Sequence, residues 1–193
     1  MRVLVVYAHP VEASFCAALH LTIIHALETA GHDVDDCDLY AEGFDPRLSQ
    51  AERLAYHDVG SNIEPVRGYV ERLQAAEGLV LCYPVWNFGY PAILKGFFDR
   101  VFLPGVSFAL VEGKVQPTLR HIKSLAAVTT YGGSRFRAAA MGDPPRKLVC
   151  RVLRTLIRPG APVRYLAHYD MNRSTDHSRK QFRLKVQRQL GEL

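Results

Sequence analysis

Three short runs with no polar face constrain this chain more than anything else in it: "RVLVVYA" (2–8), "GLVLCYP" (78–84) and "HIKSLAAVTTYGG" (121–133). A strand that is apolar at consecutive positions needs cover on both faces, and parallel sheets provide it by packing helices on either side. The intervening stretches supply those helices. Ser14 suits an N-cap, with Phe15, Leu19, Ile23 and Leu27 repeating on one helical face as far as Gly31. "HDVDDCDLY" (32–40) alternates loosely and predicts a second, more exposed strand, followed by a long irregular connection over 42–58. A helix near 66–76 precedes the third strand, and another runs from Pro91 to about Val101. After the fourth strand come a proline-opened helix, "PPRKLVCRVLRTLIR", a fifth strand, "APVRYLAHY", and a closing helix capped by Ser174 or Thr175. This alternation predicts an α/β fold, one parallel sheet with helices on both faces, in a single domain over 1–193.

Composition narrows the function classes. A chain of 193 residues with 48% apolar and 22% charged residues can bury a real core. The net charge of +5 favours anionic ligands but is too small to imply nucleic acid. Cys16, Cys37, Cys82 and Cys150 lack ligand or redox spacing, so reduced thiols in a cytoplasmic protein are expected. The eight histidines form no zinc pattern, and no metal is expected. No apolar run is long enough for a membrane span.

In a parallel sheet ligands bind outside the carboxyl ends of the strands. That rule collects "AHPVEASF" after strand one, "YPVWNFG" after strand three and "TYGGSRF" after strand four. The first leads into a helix N-terminus whose Ser14, Phe15 and Cys16 amides suit a phosphate. In the second, Pro84 stiffens the strand exit, while Trp86, the single tryptophan, and Phe88 offer flat apolar surface. In the third, Gly132 and Gly133 permit close backbone approach. Each loop alone also has a plain explanation, as a helix cap, rings packed under a helix, or a strand-ending turn. Together a phosphate grip, stacking rings and close-approach glycines converge on a flavin. Neither G-x-G-x-x-G nor a Walker motif is present.

The chain resembles the flavodoxin-like NAD(P)H:quinone oxidoreductases, the family of DT-diaphorase, the modulator of drug activity and the potassium-efflux ancillary flavoproteins. The residues that carry the resemblance are "YAHP…SF" (7–15), "DLYAEGFDPRLS" (38–49), "PVWNFGYPAILKGFFDRVF" (84–102) and "TYGG" (130–133). It implies a flavodoxin-like five-stranded parallel sheet in the order 2-1-3-4-5. It also implies a flavoenzyme that passes a hydride from NAD(P)H through flavin N5 to a quinone or similar electrophile by a ping-pong route. His9, Ser14, Phe15 and Cys16 would meet the phosphate and ribityl chain. Pro84, Val85, Trp86, Asn87 and Phe88 would line the ring, and Thr130, Tyr131, Gly132 and Gly133 would close its other edge. The cofactor would be FAD, with Arg179 at the adenylate end, or alternatively FMN. A homodimer is implied, with the apolar "VFLPGVSFAL" segment near its interface. A non-catalytic regulatory flavoprotein bound to a transporter is the alternative reading.

Three departures from the family are evident. Cys16 stands where asparagine is common. "SRFRAAAMGD" replaces a longer stretch, with Met141 in place of a histidine, which leaves Tyr131 as the nearest local proton donor. Phe108 and Leu110 stand where the mammalian enzymes carry two tyrosines over the ring, making a more apolar lid. Arg135, Arg137, Arg146 and Lys147 follow the glycine turn and predict a preference for NADPH over NADH.

Overall fold

The computed structural model describes all of residues 1–193. Its strands are β1 (Arg2–Tyr7), β2 (Asp33–Asp38), β3 (Gly78–Val85), β4 (Phe108–Val111), β5 (Lys114–Pro117), β6 (Ser124–Tyr131) and β7 (Val163–His168). Five of them form one sheet in the order β2-β1-β3-β6-β7, and every neighbouring pair is parallel. Counting only these five, the order is the expected 2-1-3-4-5. The numbering shifts because β4 and β5 form a separate antiparallel hairpin that the sequence reading did not anticipate. Its turn places Glu112 and Gly113 at positive φ (50° and 74°), the geometry that a two-residue hairpin loop requires.

Every residue of β3 and β6 is buried, whereas β2 is mostly exposed or half-buried. The central strands therefore carry the unbroken apolar runs, and the edge strand carries acids. Alternate residues point to opposite faces. One face (Leu4, Val6, Leu81, Tyr83, Ala127, Tyr131) packs under α3 (Arg67–Ala75), α4 (Ala92–Val101) and Val149 and Leu153 of a π-helical segment, Leu148–Leu153. The other (Val3, Val5, Tyr7, Val80, Cys82, Val128) packs under α1 (Phe15–Thr29) and the closing helix Asp176–Gly191. Ser14 caps α1 by accepting from the Ala17 amide at 3.0 Å, and Thr175 caps the closing helix in a capping box with Ser178.

The 42–58 connection is not irregular throughout. Ser49 and Glu52 form a capping box that starts α2 (Gln50–Leu54), and this segment locks onto α4. Arg100 donates to Glu52 at 2.7 Å and to the Asp45 carbonyl, with its guanidinium over the Phe44 ring. Gly96 is the contact point: a Cβ there would lie 2.3 Å from the Pro46 carbonyl oxygen. The partner of Arg100 is thus 48 residues away in sequence, while Asp99 pairs locally with Lys95. The stretches 38–49 and 84–102, separate in sequence, are one packed unit.

Candidate functional site

The carboxyl ends of β1, β3 and β6 open into a cleft of about 340 Å³. It is lined by His9, Ser14, Phe15 and Cys16 from the first loop, Pro84, Val85 and Trp86 from the second, and Thr130 and Gly132 from the third. The structure thus gathers the three loops at one sheet edge. Trp86 is 43% exposed, and its ring lies 5.7 Å from that of His9, so the single tryptophan forms a wall instead of filling the core.

Unpaired backbone donors occur on all three loops that meet at this cleft. At α1 the Ser14 amide is used within a turn, donating to the Val11 carbonyl at 3.2 Å, contrary to the expectation that it would be free. The Phe15 and Cys16 amides have no acceptor within the chain. His9 is fixed beside them: its Nδ1 accepts from the Val11 amide at 3.0 Å, which leaves Nε2 to carry the proton of the neutral ring. Burial holds its pKa below the ordinary histidine value. The ring is therefore a neutral hydrogen-bond donor at physiological pH. Two free amides at a helix N-terminus and an imidazole N–H form a donor set suited to a phosphate.

The second loop is a tight reversal in which Trp86 and Gly89 exchange backbone hydrogen bonds (2.8 and 3.3 Å). Asn87 and Phe88 between them both take positive φ, 49° and 57°. For a bulky residue such as Phe88 this conformation is strained, and such strain concentrates at binding and catalytic sites. The turn leaves the Asn87 and Phe88 amides unpaired, and neither residue is among those lining the cleft. In the third loop the Gly132 and Gly133 amides are likewise free, and Gly132 lies beside the Asn172 amide group.

Several expected residues lie elsewhere. Thr130 and Tyr131 point to opposite faces of β6, so only Thr130 reaches the cleft. Tyr131 is 2% exposed, and its hydroxyl lies 2.6 Å from the Asp143 carboxylate and 2.5 Å from the Tyr165 hydroxyl. Burial and these partners push its pKa up. Gly133 contributes backbone alone, its carbonyl accepting from Asp170 at 2.9 Å. Arg179 is turned to Ser174 (2.9 Å) and Asp176 and does not line the cleft. Phe108 and Leu110 sit on the β4–β5 hairpin, half-buried and exposed, also outside the lining.

The sequence reading missed Met171 and Asn172, which line the cleft from the 3-10 turn after β7. The rule that collected the other three loops would have found them had it been applied to "YDMNR" as well. A larger hollow of about 510 Å³ lies beyond His9, against Tyr7, His20, Asp38 and Tyr40. There His20 pairs with Asp36 at 2.7 Å and Asp38 accepts from the Tyr40 and Ala41 amides, while the Tyr7 hydroxyl is buried without a partner. No three His, Cys, Asp or Glu side chains come together as a metal site, and no helix is long and apolar enough to cross a membrane.

A family model described as a flavodoxin-like fold matches residues 1–190. The chain belongs to that family. Among its relatives, NAD(P)H dehydrogenase (quinone) 1 of Rattus norvegicus is 31% identical over 153 residues, covering 70% of this chain and 56% of the relative. The flavodoxin-like chain thus spans little more than half the length of that relative. The solved structure of an NAD(P)H:quinone oxidoreductase from Methanothermobacter marburgensis superposes with a TM-score of 0.84 at 25% identity, covering 99% of this chain and 98% of that one. An FMN-dependent NADH-azoreductase from Bacillus anthracis, solved in complex with FMN, shares the fold with a TM-score of 0.79. At 13% identity, over 99% of this chain and 98% of that one, this last likeness is one of fold alone.

Proposed function

We propose that the chain is a flavin-dependent NAD(P)H oxidoreductase that reduces a quinone or similar electrophile at this cleft. One observation carries the reading. The amides of Phe15, Cys16 and Gly132 lack partners in the chain and belong to residues that line a cleft walled by the one tryptophan, and those of Asn87, Phe88 and Gly133 are unpaired on the adjoining turns. Phe15, Cys16, Phe88 and Gly133 are buried or half-buried, where backbone donors are normally paired, so their free amides suit a ligand with several acceptors. The names borne by the quinone-reducing relatives point the same way.

A bound flavin would supply the two-electron chemistry, taking a hydride from nicotinamide and delivering it to the acceptor. The protein's own groups hold and tune the ring. Phe15, Cys16 and the Nε2–H of His9 bind the phosphate. Trp86, Pro84 and Val85 would form the wall for the ring, and the unpaired amides of the second and third loops would be available to its polar edge. Tyr131 positions instead of donating a proton, because its hydroxyl ties the third loop to Asp143.

The cofactor is FAD in this reading, with FMN the other outcome. Arg179 would have to leave Asp176 to meet an adenylate. The assembly is a homodimer, with Leu110, Val111 and Val115 of the hairpin exposed for the interface. The chain, purified with its absorbance spectrum recorded and its released cofactor identified by mass, should hold a flavin and oxidise NADPH rapidly when a quinone is added. Failure to take up either FAD or FMN at micromolar concentration contradicts the reading, and a fully active monomer contradicts the dimer.

A further inference from the structure

Two of the four thiols touch at the base of the cleft. Cys16 Sγ, on the first turn of α1, lies 4.0 Å from Cys82 Sγ on the central strand β3. The Cys82 thiol also lies 3.7 Å from the Cys16 carbonyl and can donate to it. Cys16 is among the cleft-lining residues although only 3% exposed, and Cys82 is fully enclosed behind it. The remaining two do not share this arrangement: Cys37 is buried in the opposite core, and Cys150 is half-buried on the π-helical segment. A disulfide needs its sulfurs about 2 Å apart, so the pair has to close by roughly half its present separation.

We propose that Cys16 and Cys82 form an oxidisable dithiol, closed to a disulfide by a hydroperoxide that reaches Cys16 through the cleft. The two sulfurs have different roles because their surroundings differ. Burial and the neighbouring Cys16 push the Cys82 thiol well above its ordinary pKa, so it stays protonated and does not attack first. The Cys16 sulfur attacks one peroxide oxygen, the O–O bond breaks, and the thiol proton leaves with the departing oxygen as water, giving a sulfenic acid on Cys16. The Cys82 sulfur then attacks Cys16 Sγ. The S–S bond forms, the S–O bond breaks, and the hydroxyl departs with the Cys82 proton as a second water. Two thiols are oxidised by two electrons, and hydrogen peroxide is reduced to two waters.

The bridge joins residues 66 apart. It pins the first turn of α1 to the central strand, and that turn carries the free Phe15 and Cys16 amides. Closure therefore restricts the phosphate-binding donors, and a ligand seated on them covers Cys16 from the cleft side. The shielding rests on the flavin reading of the cleft; the cross-link does not.

The test uses the full chain carrying Cys37→Ser and Cys150→Ser, reduced and freed of any cofactor. Treated with hydrogen peroxide, it should lose two hydrogens in intact mass and yield a Cys16–Cys82 linked peptide that dithiothreitol reverses. With Cys82→Ala added, the reaction should stop at a Cys16 sulfenic acid that dimedone traps. With Cys16→Ser added, Cys82 should remain a free thiol. Preloading with FMN or FAD should slow cross-linking by at least severalfold. Both thiols surviving peroxide in the cofactor-free protein, or Cys82 oxidising in the Cys16→Ser variant at the original rate, overturns the proposal. An unchanged rate with flavin demonstrably bound overturns the route through the cleft. Failure of flavin to bind removes only the functional reading, since the cross-link is still scored by mass.

Discussion

The contact of α4 with the 44–52 segment and the rim of the cleft are neighbours in the chain, yet they use their polar groups in opposite ways. In the contact everything is paired. The Arg100 and Glu52 side chains, only 10% and 12% exposed, satisfy each other, and Glu52 also accepts from the Ser49 amide while the Ser49 hydroxyl accepts from the Glu52 amide. Gly96 brings the Pro46 backbone against the helix. At the rim six amides are unpaired and Phe88 is held in a strained conformation. Paired, close-packed groups stabilise the fold, whereas unpaired donors cost stability and are retained where a ligand completes them. Substitutions in the contact should therefore move stability, and substitutions at the rim should move ligand affinity.

The largest effect is expected at Gly96. Gly96→Ala places a methyl group against backbone that cannot step aside, a case at the upper end of overpacking costs, about 3 kcal/mol. In a chain of this size that lowers Tm by about 6–12 °C, measurable by calorimetry. Next comes Glu52→Ala, which leaves Arg100 largely buried without its carboxylate and should cost about 2 kcal/mol after allowing for residual solvent access. Burial opposes ionisation of Glu52, but its bonds with Ser49 and Arg100 prevail and hold its pKa below the ordinary 4.5. A carboxylate with a depressed folded pKa contributes stability that is full above the unfolded value. It is lost as pH falls through the folded one. The wild-type chain should accordingly lose stability below about pH 4.5 by an increment that Glu52→Ala lacks, as denaturant titrations across that range can show.

At the rim, Trp86→Ala should change stability by no more than about 0.5 kcal/mol, while weakening flavin about ten- to hundredfold through lost stacking. A drop in Tm comparable to that of Gly96→Ala would break the contrast between the two regions. The smallest effect belongs to the outer rim. Arg135 and Arg137 are exposed, form no ion pair and lie on the short helix Arg135–Ala140 just past the glycine turn. A charge-assisted bond to a 2′-phosphate should favour NADPH over NADH about tenfold at low salt. The preference should shrink with ionic strength and with Arg135→Ala or Arg137→Ala. Equal specificity constants for the two nucleotides, unaltered by either substitution, would contradict it.

The sheet was legible because burial writes itself into local composition: β3 and β6 are covered on both faces and are apolar at nearly every position. The three loops were legible because strand order and the C-terminal-edge rule place them together before any contact is known. What stayed hidden depends on geometry that spacing does not encode. Trp86 follows one apolar strand and Tyr131 ends another, yet one forms a cleft wall and the other is anchored to Asp143, a matter of which face each ring takes. The hairpin at 108–117 turns on Glu-Gly, a weaker signal than Asn-Gly or Asp-Gly. The Arg100–Glu52 pair spans 48 residues, a distance over which no local pattern operates. The contact between Cys16 and Cys82 arises only once α1 lies across β3.

The central claim is that the unpaired amides and the tryptophan wall at the ends of β1, β3 and β6 are a flavin site. Because Trp86 is the only tryptophan, its fluorescence reports on that wall alone. Titration of the cofactor-free chain with FAD and with FMN should quench the emission strongly and saturably, with the quench absent from a control ligand that lacks the ring system. Emission from Trp86 that is unchanged while flavin is demonstrably bound would place the flavin elsewhere and contradict the account.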